Sequence, residues 1–86
     1  MSRFFGHYAL CKCLHTLGFT PEKQVGSSHV KFTPPKDHIV PSNLRPFIIV
    51  ILNTNEYSKH TCSRYVTEIV QLGFNRNTVK KLLYES

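Results

Sequence analysis

His29 and Lys31 stand two residues apart, directly after Gly26, Ser27 and Ser28. In an extended chain successive side chains alternate between faces, so this spacing sends Val30 and Phe32 to one side and His29, Lys31 and Thr33 to the other. Gly26-Ser27-Ser28 is turn chemistry, and it starts the strand at His29 just after a bend. With Val30 and Phe32 toward a core, an imidazole and an ammonium share the wetter face. Histidine titrates near neutrality and can give or take a proton. Lys31 can stabilise charge developing at a phosphorus, and Ser27, Ser28 and the turn's backbone N–H groups can hold a phosphate oxygen. Taken alone, the same stretch also suits a plain hairpin with an exposed histidine.

Size and charge bound what surrounds this stretch. Eighty-six residues make one domain, 1–86, with a single modest core. The formal charge is +6, from eleven Lys or Arg against five Asp or Glu. That balance favours an anionic partner, with nucleic acid ahead of membrane because no strongly hydrophobic basic helix is present. The longest apolar run, Phe47 to Leu52, is too short to span a bilayer, and the first residues lack a signal-peptide build. A cytoplasmic location with reduced cysteines is therefore expected.

The elements that must position His29 follow from periodicity. Residues 7–17 read as a helix, with Ala9, Leu10, Cys13, Leu14 and Leu17 on one stripe and Gly18-Phe19 closing it. A first strand is expected over 22–25 and a second over 29–33, paired as an antiparallel hairpin. Pro34-Pro35 stops the second strand, and residues 34–46, with four prolines, read as a Pro-rich loop insertion. The run Phe47 to Leu52 is a strand apolar on both sides, to be covered on its second face or edge by the loop, the N-terminal segment or another chain. After a polar connection over 53–60, a helix starts near Thr61 or Ser63, with Tyr65, Val66, Ile69, Val70 and Leu72 as its stripe. Gly73-Phe74 ends it, and Asn75 caps a short last helix carrying Val79, Leu82 and Leu83. The fold class is thus α+β: α-β-β-β-α, a three-stranded antiparallel sheet with helices packed on one face, plus a short C-terminal helix. That is the architecture of double-stranded-RNA-binding domains.

A helix ending in Leu-Gly-Phe, a short strand and then Gly-Ser-Ser-His-Val-Lys-Phe resembles the HicA toxins of bacterial toxin–antitoxin pairs. The closing Ile69-Val70-Gln71-Leu72-Gly73-Phe74 and Thr78-Val79-Lys80-Lys81-Leu82 resemble that family's last helical region. The likeness covers roughly residues 8–33 and 47–83, and its distinctive part is the Gly-Ser-Ser-His stretch. It implies a toxin that cleaves messenger RNA without metal or other cofactor and is silenced by a HicB-type antitoxin protein. The family's catalytic histidine matches His29, and its preceding glycine and hydroxyl residues match Gly26, Ser27 and Ser28. A histidine often found after the third strand points to His60 as the candidate second acid or base. The chain departs from the family in one extra residue between glycine and histidine, and in its longer 34–46 loop. The same fold without catalysis would be an RNA-binding module using the same basic face.

Other chemistries fit less well. Cys11 and Cys13 lie at i and i+2 of a helix, roughly 200° apart, so both cannot reach one zinc ion. Cys13 reads as core, Cys11 as surface, and Cys62 stands alone. Arg76, Lys80 and Lys81 after the Leu72–Asn75 turn make only a weak DNA-reading helix pair. Five acidic residues give little basis for a carboxylate-held metal nuclease. Lys36 and Arg45 read as outlying charges, and His7, His15 and His38 as solvated side chains without a role.

Overall fold

The computed structural model describes residues 4–22 and 28–85. Its elements are α1 (His7–Thr16), β1 (Thr20–Glu22), β2 (His29–Thr33), β3 (Ile48–Ile51), α2 (Lys59–Gln71) and α3 (Arg76–Tyr84). The strands form one antiparallel sheet in the order β1-β2-β3, flanked by the helices. This is the α-β-β-β-α arrangement of double-stranded-RNA-binding domains with α3 added, as the pattern of the sequence implies.

Alternation along β2 and β3 sorts the sheet into a packed face and a free one. Phe32, Ile48 and Val50 are buried against Leu10, Leu14, Tyr65 and Ile69 in a continuous apolar core. His29 is paired with Ile51, and Lys31 with both Ile49 and Glu22, so these residues line up across the opposite face. Ile49 and Ile51 are half-buried there, beside Arg45 near the end of the 34–46 loop. An earlier part of the loop packs on the helix ends. The His38 ring stacks on Phe74 at 4.4 Å, and its Nε2 donates to the Leu72 carbonyl. His7 accepts the Thr54 N–H at Nδ1, 3.2 Å away, while His15 is exposed and its ring makes a T-shaped contact with Phe32. His7 and His38 are thus structural ties, not solvated side chains.

The helix ends show why two boundaries differ from expectation. At the end of α1, Gly18 takes φ +92°, Gly18 N–H donates to His15, and Phe19 N–H reaches back to Leu14 at 2.9 Å. This closure buries Phe19 and delivers the chain straight into β1 at Thr20, two residues before the expected strand start. Residues 23–27 lie outside the described residues, so the expected strand end falls there. Pro21 is tolerated because β1 is an edge strand. The second helix begins at Lys59, not at Thr61 or Ser63, because Ser58 caps it by accepting the Thr61 N–H at 3.2 Å. His60 therefore sits in the first helical turn. At α3, Asn75 caps as expected, accepting the Thr78 N–H at 3.1 Å.

Both sheet edges are blunted. On the outer side of β3, the Tyr65 hydroxyl receives the Ile51 N–H at 3.1 Å and donates to the Ile49 carbonyl at 2.8 Å. The Tyr57 hydroxyl donates to the Ile51 carbonyl. Groups that would template another strand are occupied by side chains of α2 and of the turn before it. At the other edge β1 is three residues long and contains Pro21. The free face of this sheet is therefore more open than its edges.

Candidate nucleic-acid interface

The free face carries a continuous belt of paired charges. Lys31 Nζ lies 3.5 Å from a Glu22 carboxylate oxygen and 4.4 Å from the centre of the Phe47 ring. On the other side of the belt the Arg45 guanidinium is 5.4 Å from that ring. Arg45 then reaches Glu68 at 3.7 Å, and Arg64, one turn before Glu68 on α2, reaches it at 3.5 Å. Two arginines thus converge on one carboxylate, with Phe47 separating them from the Lys31–Glu22 pair.

His29 belongs to the arginine end of this belt. A cleft of about 260 Å³ opens between β3 and α2, lined by His29, Arg45, Ile49, Ile51, Arg64 and Glu68. The position of His29 is set by the ladder. Its backbone pairs with Ile51, and the Leu52 N–H donates to the Ser28 carbonyl at 2.8 Å, one step further along. The Ser28 hydroxyl lies 3.4 Å from His29 Nδ1. A hydroxyl donating there leaves the ring's proton on Nε2 in the neutral form.

These pairs are weak enough to exchange. Exposed ion pairs contribute about 0.2–1 kcal/mol each, while hydrogen bonds to a charged group contribute about 1.5–3 kcal/mol. The Arg45 and Arg64 side chains are 60 % and 50 % exposed, so a phosphate can take over their guanidinium donors without displacing any core group. Phe47 adds a flat apolar surface on which a base can stack.

The expected site residues are distributed unevenly over this geometry. His29 lines the cleft, and Lys31 lies on the same face but is engaged with Glu22 and Phe47. Ser28 contacts His29, whereas Gly26 and Ser27 lie outside the described residues. His60 is exposed in the first turn of α2, one turn before Arg64, and does not line the cleft. Arg45 is not an outlying charge: the 34–46 loop carries it back to the cleft. Arg64 and Glu68 were not singled out by the sequence, although their i,i+4 spacing marks a pair on one helix face.

Cysteine chemistry is disfavoured at neutral pH. Burial pushes the Cys13 thiol up to about 11 and raises Cys11 and Cys62 as well. Raised thiols carry little thiolate and are poor nucleophiles. Cys11 is half-buried, not a surface residue. Among the described residues no three His, Cys, Asp or Glu side chains gather as a metal-holding group. No helix in them is long and apolar enough to cross a membrane.

No protein-family model, curated protein or solved structure matches the chain. The likeness to the HicA toxins rests on the short motifs quoted above, and the fold rests on the element order and the sheet.

Proposed function

We propose that this protein binds RNA through the free face of its sheet. The observation that carries this reading is the convergence of His29, Arg45 and Arg64 on one open cleft, beside Lys31 and an accessible Phe47 ring. The test is fluorescence anisotropy with a labelled single-stranded RNA over a salt series. Arg45→Ala with Arg64→Ala should weaken binding and lower the salt slope by about 1.4, at about 0.7 for each phosphate no longer neutralised. Lys80→Ala with Lys81→Ala, exposed on α3, should change both far less. Equal effects from the two pairs would mean diffuse charge attraction and no defined interface.

The position of His29 within the cleft favours a second reading, that bound RNA is cut. RNA supplies its own nucleophile in the 2′-hydroxyl, so cleavage needs proton transfer and charge stabilisation but no metal. This is the activity expected of a HicA-like messenger-RNA endonuclease, and it brings with it a HicB-type antitoxin. Such a partner would silence the protein most directly by covering the His29–Lys31 face with an acidic segment that competes for Arg45, Arg64 and Lys31. Hydrogen exchange on the free protein and on the complex should then show protection gained at residues 28–33. Protection confined to α3 would rule this mode of silencing out.

A further inference from the structure

The cleft holds a carboxylate that the packing of the core does not require. Glu68 sits between Arg45 and Arg64 with its side chain 22 % exposed, and it lines the same cleft as His29. Core packing of α2 is provided by Cys62, Tyr65, Val66 and Ile69. A carboxylate is also an unfavourable neighbour for an RNA phosphate, so placing one among the cleft's cations weakens binding, and a second task would account for it there.

We propose that Glu68 is the second proton-transfer group of this site, the base whose counterpart acid is His29. The inference rests on the cleavage reading above. In the step, the Glu68 carboxylate takes the proton of the 2′-hydroxyl as that oxygen bonds to phosphorus. The bond from phosphorus to the 5′-oxygen breaks, and protonated His29 gives its proton to that leaving oxygen. The products are a 2′,3′-cyclic phosphate and a 5′-hydroxyl, and both groups return to their starting states by exchanging protons with water. Arg45 and Arg64 bind the phosphate's non-bridging oxygens and offset the charge that grows there. They also hold the Glu68 carboxylate in place before RNA arrives. Glu68 thus takes the part that the sequence likeness offers to His60, which stands outside the cleft.

The roles of Glu68 in binding and in chemistry have opposite signs, which makes them separable. Glu68→Gln keeps the side chain's shape and removes one negative charge. It should bind a fully 2′-O-methylated RNA, which cannot be cut, at least as tightly as the wild-type protein. At saturating RNA it should cleave about 100-fold more slowly or worse. Glu68→Asp, which keeps a carboxylate, should cleave measurably faster than Glu68→Gln at equal binding. Three outcomes overturn the role of Glu68: Glu68→Gln cleaves as fast as wild type or faster, binding and cleavage fall in parallel, or Asp restores nothing over Gln. Absence of cleavage by the wild-type protein is a different result, because it removes the nuclease reading itself.

Discussion

His29→Ala should lower RNA cleavage by about 10²–10⁴-fold, the range expected when one proton-transfer group is removed. The fold should survive, because the His29 side chain is exposed and its contribution to the sheet is made by the backbone pairing with Ile51. Circular dichroism and a thermal melt would check that. Binding to 2′-O-methylated RNA should change little, since Arg45, Arg64 and Lys31 carry the charge that holds the phosphates. Lys31→Ala should affect cleavage more mildly than His29→Ala, because Lys31 lies over Phe47 and against Glu22 and does not line the cleft. Cleavage by the wild-type protein should persist in EDTA, because both proton transfers are assigned to side chains. Undiminished cleavage in His29→Ala would sink the role of His29 as a proton-transfer group, whereas no cleavage by the wild-type protein would leave the RNA-binding module. Full loss in EDTA would sink the metal-free mechanism.

The histidine was legible in the sequence and its working neighbours were not, for a physical reason. His29 sits in a five-residue stretch whose alternation alone decides which side chains face the core, and β2 spans His29–Thr33 as that pattern implies. The same local physics made the last helix legible: Asn75 is a good cap, and Val79 and Leu83 repeat at helical spacing. Arg45 and Glu68 meet His29 only because the sheet order, the return of the 34–46 loop and the docking of α2 beside β3 bring distant segments together. A Pro-rich loop has no period from which to read where its last arginine points. The Lys31–Glu22 pair was not legible because strand bounds alone fix no register: β1 runs Thr20–Glu22, and the ladder sets Glu22 opposite Lys31. Ser58 was similarly masked within a polar run, so His60 read as a loop residue when it belongs to a helix.

The largest effect on stability is expected at Gly6, where the limiting factor is space and not backbone conformation. Gly6 is buried at the start of α1 with φ −115° and ψ −166°, an extended geometry open to any residue. A Cβ there would lie 2.0 Å from the Asn55 carbonyl oxygen, 2.4 Å from the Asn55 carbonyl carbon and 2.6 Å from the Thr54 carbonyl oxygen. All three are backbone atoms, so no side-chain rotation relieves the clash. Nor can the segments separate freely, because His7 N–H donates to Thr54 at 2.9 Å and Tyr57 N–H donates to Phe5 at 2.8 Å. Overpacking costs about 1–3 kcal/mol, and losing the two bonds adds about 0.5–1.5 kcal/mol each. The total, about 2–6 kcal/mol, is a large share of the roughly 4–13 kcal/mol expected for a domain of this size. Gly6→Ala should therefore lower the melting temperature by about 10 °C or more. The strain also reaches the interface. Tyr57 follows the clashing segment, and its hydroxyl holds the Ile51 carbonyl on the outer edge of β3, opposite His29. Loosening should appear as faster hydrogen exchange at residues 49–52, together with the lower melting temperature. A variant that melts within about 2 °C of wild type would show that the chain at Gly6 is not held against residues 54–55 as described.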